Sequence, residues 1–222
     1  MLLKNLFSKK ILVASLFLSF THCLIYSQDV IYPSDGSANE YLAAKEVRRY
    51  VYLRTDQHLK LEGDTILPEY GDIILVANNN NSMIKELSLG YTLKPGELLI
   101  KSIEQNGRNV LIISGYNSDV TLMAAYRFAE HLGVGFGLAG DVIPDARISY
   151  NIEGFDEVGT PLFETRGIQP FHDFLHGPDI WSTNDYKAII AQLPKMGMNF
   201  IGLHTYPTWS TTEEKEWDER QG

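Results

Sequence analysis

The sequence predicts an α+β domain, a β-sheet carrying two long helices, followed by the first βαβ unit of an incomplete (β/α)8 barrel. Between Asp29 and Ile152, apolar runs of strand length alternate with two stretches of helical period. Within that stretch, Gln105-Asn106-Gly107-Arg108-Asn109 sets Asn-Gly between two apolar runs, which is the composition of a tight hairpin. Phe163 to Trp209 then reads as strand, polar aromatic loop, helix and apolar strand, with polar residues gathered past the carboxyl ends of both strands. Open α/β sheets and (β/α)8 barrels place their active sites there.

Residues 1–28 carry the pattern of a signal peptide. Lys4, Lys9 and Lys10 form a positive start, Ile11 to Phe20 an apolar core, and Ser27 or Gln28 lies at a plausible cleavage point. The apolar run is shorter than the roughly 20 residues that a membrane span needs. The chain is therefore expected to be exported, with no membrane span. Its single cysteine, Cys23, falls inside this segment, so an exported product would rely on its core rather than on disulfides. Phe20-Thr21-His22 makes a poor lipobox, with bulky His22 beside the cysteine, which argues against a lipid anchor on Cys23.

In residues 29–152, Asp29 to Tyr32 reads as a strand entering a Ser/Asp/Gly turn. Ser37 to about Arg54 reads as a helix with Ala38, Tyr41, Leu42, Val47 and Val51 toward one side. Asp72 to Ala77 is a buried strand, Asn78 to Asn81 a polar loop, and Met83 to Leu87 a short helix. Leu98–Ile103 and Val110–Ser114 flank the hairpin turn. Asp119 to Leu132 is the second long helix, with Leu122, Ala125, Tyr126, Ala129 and Leu132 inward, and Val134 to Leu138 is the final strand. Residues 153–162, with Gly154, Gly159 and Pro161, read as a connector. Residues 163–222 begin the barrel: sixty residues follow Leu162, whereas a complete barrel takes roughly 250, so the expectation is a truncated catalytic domain.

A net charge of −9 without a basic stripe excludes a nucleic-acid partner. At 44% hydrophobic and 11% aromatic the chain builds a core, and its aromatics suit both core packing and sugar stacking. Gly135-Phe136-Gly137-Leu138-Ala139-Gly140 fits G-x-G-x-x-G, but it follows a helix and behaves as a strand, so no dinucleotide site and no cofactor is expected. His172 and His176 stand four apart, yet Pro170, Gly177 and Pro178 keep them off a helix, so no metal site is expected.

The chain resembles the N-terminal domain that precedes the barrel in family 20 β-N-acetylhexosaminidases and family 67 α-glucuronidases. The likeness rests on YLAAKEVRRYV, on GRNVLIISGYNSDVTLMAAYRFAEHLGV and on Pro144-Asp145, and it covers about Asp29 to Tyr206. In those enzymes the first barrel strand carries an Arg-Gly whose arginine binds sugar hydroxyls, and the resemblance implies that role for Arg166 before Gly167. After it, Ile168 to Phe174 replaces the usual apolar run leading to Asp and Arg, so N-acetylhexosamine specificity does not follow. Arg166 can fork onto paired hydroxyls or make a structural ion pair. His172 and Asp173 can bond ring hydroxyls or cap their own loop. Trp181, Tyr206 and Trp209 can stack on sugars or pack at a barrel rim.

A glycosidase normally needs two carboxylates across the scissile bond. Asp156-Glu157 lies in the connector and Asp218-Glu219 in a charged run, so no catalytic residue is assigned. The expectation is an N-terminal fragment of an exported glycoside hydrolase, inactive by itself. It would contribute Arg166, His172, Asp173, His204 and Tyr206 to a carbohydrate pocket. The alternative is a non-enzymatic carbohydrate-binding module. Oligomeric state is not legible.

Overall fold

In the computed structural model of the chain, residues 28–171 and 177–203 are described. Six strands form one mixed sheet: β1 (Asp29–Pro33), β2 (Lys60–Asp64), β3 (Ile73–Val76), β4 (Leu98–Gln105), β5 (Arg108–Gly115) and β8 (Asp156–Gly159). Their spatial order is β2-β1-β3-β5-β4-β8. The first four in that order run parallel, whereas β4 is antiparallel to both of its neighbours. Helices α1 (Ala38–Thr55) and α3 (Ser118–His131) cover one face, and the short α2 (Ser82–Glu86) lies on the other.

Burial on both faces explains why Ile73–Val76 is apolar at every position. Ile74 and Val76 join Val30, Leu111 and Ile113 beneath α1 and α3. Ile73 and Leu75 join Ile31, Val110 and Ile112 beneath Met83, Ile84 and Leu93. The β4–β5 hairpin turns at Asn106 and Gly107, both at positive φ (55° and 74°), the conformation in which Asn-Gly is least strained.

Ser37 caps α1 and forms a reciprocal box with Glu40. The buried side of α1 is Glu40, Ala43, Ala44, Val47, Tyr50, Val51 and Arg54. Tyr41 and Leu42, expected inward, lie 44% and 37% exposed, and Ala38 is exposed too. The helix is turned so that its two inward polar groups meet partners. Arg54 donates to the carbonyls of Leu132, Pro144 and Ala146 at 2.8, 2.5 and 2.7 Å, and the Glu40 carboxylate takes four donors, described below. On α3 the inward set is as the periodicity predicts: Leu122, Ala125, Tyr126, Ala129 and Leu132 are all buried.

Three elements differ from the expectation, the first being β2, for which no strand was expected between Arg54 and Asp72. Val134 to Leu138 contributes β6 (Gly135–Gly137), which pairs only with β7 (Gly140–Val142) in a separate hairpin instead of extending the sheet. The 153–162 connector contains β8, which pairs with β4 from Leu98↔Gly159 to Lys101↔Asp156. Lys101 and Asp156 add an ion pair at 2.6 Å across that pairing.

Beyond β8, β9 (Gly167–Ile168), α4 (Thr183–Gln192) and β10 (Phe200–Ile201) form a βαβ unit with parallel strands, Gly167↔Phe200 and Ile168↔Ile201. Among the described residues it rests on the sheet domain chiefly through the turn Pro194–Met196 against α3 and β6, with Leu193 buried to 4% exposure.

Candidate functional site

The register of β9 and β10 fixes the direction of both strands, so the chain leaves Ile168 and Ile201 at the same end of the pair. His172 and Asp173 follow β9 within a few residues; His204 and Tyr206 follow β10 likewise. All four lie outside the described residues. The two strands thus lead toward four polar residues from one end, the end at which parallel sheets carry their sites.

Arg166 is elsewhere. The expectation set it at the carboxyl end of the first barrel strand, but pairing begins only at Gly167, so Arg166 stands at the amino end. Its carbonyl accepts from the N–H groups of Asn199 and Phe200 at 2.8 and 3.0 Å. Its guanidinium donates to the carbonyls of Gly197 at 2.8 Å and Phe163 at 2.7 Å. A 3.9 Å approach to Met123 Sδ turns its remaining edge toward α3. No carboxylate faces it among these partners: the guanidinium clamps the backbone that enters both strands. Gly167 follows for a steric reason, since a Cβ there would collide with the Phe200 carbonyl.

The unit is held to the sheet domain by a buried charge. Lys195 Nζ lies 2.7 Å from Asp141 Oδ1, with side-chain exposures of 11% and 9%. The Tyr50 hydroxyl donates to Asp141 Oδ2 at 2.8 Å, and Arg49 lies 3.5 Å from the same oxygen. The ammonium also stands 5.8 and 5.9 Å from the ring centres of Tyr126 and Phe136. Burial alone would push the Asp141 pKa up. The bonds from Lys195 and Tyr50, with the charges of Lys195 and Arg49, outweigh it and hold that pKa below its ordinary value. Nothing in the local sequence announced this contact, because Asp141 and Lys195 are 54 residues apart.

The sheet domain has its own crevice of the kind that binds ligands in open α/β sheets. β1 leads to α1 on one face and β3 to α2 on the other, so the loops after β1 and β3 part there. Glu40 fills it. Its carboxylate accepts from Ser37 N and Oγ at 2.9 and 3.1 Å, and from Asn78 N and Nδ2 at 2.9 and 2.8 Å, at 2% exposure. The donors at the start of α1 and in the loop after β3 are thereby taken within the chain. The G-x-G-x-x-G stretch is the β6–β7 hairpin and opens no helix. Among the described residues no group of His, Cys, Asp or Glu is arranged to hold a metal ion, and no helix is long and apolar enough to cross a membrane.

No family model matches the chain, and no curated protein matches its sequence. Solved structures do match its fold. A family GH115 4-O-methyl-alpha-glucuronidase, BtGH115A, with specificity for decorated arabinogalactans, aligns over 79% of this chain and 25% of its own, at 15% identity and a TM-score of 0.57. CpGH84D aligns over 86% of this chain and 29% of its own, at 12% identity and a TM-score of 0.53. The chain therefore spans between a quarter and a third of the length of these neighbours. The matched share exceeds what residues 1–159 could supply, so the likeness runs past the sheet domain. The chain has a mixed α/β fold that is found within glycoside hydrolase chains.

Proposed function

We propose that this chain is the N-terminal part of an exported glycoside hydrolase. In this reading residues 29–152, extended by β8, form an accessory domain, and residues 163–222 begin a (β/α)8 catalytic barrel. The observation that carries it is the parallel β9–β10 pair with its crossing helix α4, docked on a sheet domain whose fold recurs in glycoside hydrolases. His172, Asp173, His204 and Tyr206 follow the carboxyl ends of that pair and are the groups to hydrogen-bond or stack on the sugar. Arg166, at the opposite end with its donors on carbonyls, supports the strand pair and reaches substrate only if those bonds are given up.

The acid and the nucleophile or base that hydrolysis requires come from further strands, so the 222-residue chain alone is inactive. The GH115 neighbour acts on a glucuronide, and an acidic sugar is the first substrate class to try. The Lys4, Lys9, Lys10 start and the apolar run from Ile11 support export.

The test begins with the reading frame downstream of Gly222. A continuation with more β/α units and strand-end carboxylates is expected, and the longer protein should cleave an aryl glycoside from a panel that includes aryl α-glucuronides. His204→Ala in that longer protein should lower kcat/KM by at least roughly 100-fold, the scale of one well-placed catalytic or binding contact. Turnover by the 222-residue chain, abolished by a substitution within it, would overturn the fragment reading.

A further inference from the structure

Between the sheet domain and the amino end of the βαβ unit runs a seam of two adjoining hollows, about 250 and 520 Å3. Gly96, Val120, Met123, Pro161 and Arg166 border both. The larger hollow falls in the volume range of small-molecule sites, and such sites favour the joints between structural units. We propose that this seam binds a neutral saccharide, separately from the carboxyl-end face.

The lining fits that chemistry. Tyr116, 37% exposed, stands where β5 ends, its N–H bonded to the Glu97 carbonyl at 2.9 Å. Gly115 before it lies close against the start of α3, where a Cβ would collide with the backbone of Val120 and Thr121. The ring therefore has a fixed root, an apolar face to stack on a sugar and a hydroxyl without a partner among the described residues. Asp119 accepts from Asn39 Nδ2 at 2.7 Å on one carboxylate oxygen, and its other has no hydrogen-bond partner among the described residues. Glu164 borders the same hollow, and its carboxylate has no hydrogen-bond partner among the described residues. Asn117 uses its carbonyl to cap α3 and keeps its amide NH2. Vicinal hydroxyls, each a donor and an acceptor, satisfy such a set.

Charge narrows the ligand further. Asp119 and Glu164 line the larger hollow against Arg166, whose Nε and one Nη are bound to carbonyls. In that hollow two carboxylates outnumber one guanidinium, whose charge its carbonyl bonds do not cancel, whereas Arg127, Lys195 and Glu130 border the smaller one. The larger hollow therefore disfavours a uronate or phosphate, and an apolar ligand would cover those oxygens without bonding them. A hydroxyl-rich uncharged molecule remains. The choice of a saccharide among such molecules rests on the glycoside hydrolase reading.

The test is calorimetric titration of the 222-residue chain with xylobiose, cellobiose and lactose, with glucuronic acid as the charged control. At least one disaccharide should bind. Tyr116→Ala and Glu164→Gln should each weaken it about tenfold, and Tyr116→Phe, which keeps the ring and guards against misfolding, should weaken it less than Tyr116→Ala. Glucuronic acid should not compete. Ile190→Ala, on exposed α4 away from both faces, should leave the affinity unchanged, and the histidine variants His172→Ala and His204→Ala report whether the sugar sits at the carboxyl-end face instead. Loss in the histidine variants with none in the Tyr116 and Glu164 variants would move the sugar to the carboxyl-end face, overturning the seam site and sustaining the proposed function. Absence of binding by all three disaccharides would overturn the seam site alone, because hydrolysis by the longer protein is decided separately.

Discussion

The sheet domain and the βαβ unit use the same kinds of element with opposite outcomes. In the sheet, β3 is buried at all four positions and β5 holds five consecutive residues at 0% exposure, Val110 to Ser114. In the βαβ unit, α4 buries no residue, Ile190 is 48% exposed and Phe200 46%. The helices are not the cause, since both α1 and α4 begin with a capping box. The difference is cover. The sheet has helices or loops on both faces, whereas among the described residues the two-stranded pair has one helix and a narrow contact through Pro194–Met196 and Arg166. Burial is thus concentrated in the sheet domain, and the four residues proposed for the carboxyl-end face follow strands that cannot close their own core.

Replacing core residues gives the sharpest test of that contrast. Leu111→Ala removes a fully buried side chain between α1, α3 and the sheet. It should cost about 2–5 kcal/mol in denaturant unfolding. Ile190→Ala, on half-exposed α4, should stay within about 0.5 kcal/mol. Comparable costs at the two positions would mean that α4 is covered in solution, by another copy or by residues outside those described, and the contrast would fail.

The attachment comes next. Lys195→Met leaves Asp141 at 9% side-chain exposure without its principal counter-ion. Breaking a buried pair from one side costs about 3–5 kcal/mol, and Tyr50 and Arg49 keep part of the compensation here, so about 3 kcal/mol of docking should be lost. The readout is regional. Hydrogen exchange and thermolysin cleavage should rise in residues 163–203 while a core ending near Gly159 persists. Uniform loss along the chain would show that the two parts unfold together.

The contrast also shows what could be read from the residues. The buried strands and α3 were legible because burial on both faces, or on one clean stripe, writes itself as apolar period. β2 was not, because Lys-Leu-Glu-Gly-Asp lies at the sheet edge with mostly polar residues. β8 was hidden in the same way, since Asp156, Glu157, Val158 and Gly159 pair through the backbone and through surface charges. The face of α1 was misread because Glu40 and Arg54 point inward, where Glu40 bonds Asn78, 38 positions away, besides Ser37, and Arg54 bonds carbonyls at least 78 positions away. Arg166-Gly167 was recognised as a pair with meaning, but a two-residue strand decides which end it occupies, and only pairing reveals that. The seam residues Tyr116, Asp119 and Glu164 carried no local signal. They meet only because the unit docks on α3.

Acid separates the two regions by a further, smaller effect. Burial raises the Asp141 pKa, yet Lys195 and Tyr50 bring it below the ordinary value. At Glu157, which ties β8 to α3, burial is likewise outweighed by bonds from Arg127 at 2.8 Å and His131 at 2.6 Å. A carboxylate with a lowered folded pKa contributes stability that is full above its unfolded pKa and is lost as pH falls through the folded one. Docking of the βαβ unit should therefore hold from pH 5 to 8 and weaken below about pH 4, where free carboxylates protonate. Asp141→Asn should remove that dependence from residues 163–203 and leave the acid response at β8. Loss of docking near neutral pH would contradict the assignment to Asp141.

The smallest expected effect discriminates most finely, because one substitution can be made in each region. Ser37 and Ser182 both cap a helix and both sit in a reciprocal box, with Glu40 and Asp185 respectively. Losing an N-cap serine costs about 1 kcal/mol wherever the helix is formed. What differs is the unit that registers the loss. α1 is packed on the main sheet, and Glu40 is also bonded to Asn78 beyond β3. Ser37→Ala should therefore appear in the main calorimetric transition as a drop in Tm of a few degrees. α4 buries nothing, so Ser182→Ala should speed hydrogen exchange in Thr183–Gln192 and leave the main Tm unchanged. If both variants lower the main Tm equally, the sheet domain and the βαβ unit form one cooperative body, and the Lys195 contact is strong enough to make them so.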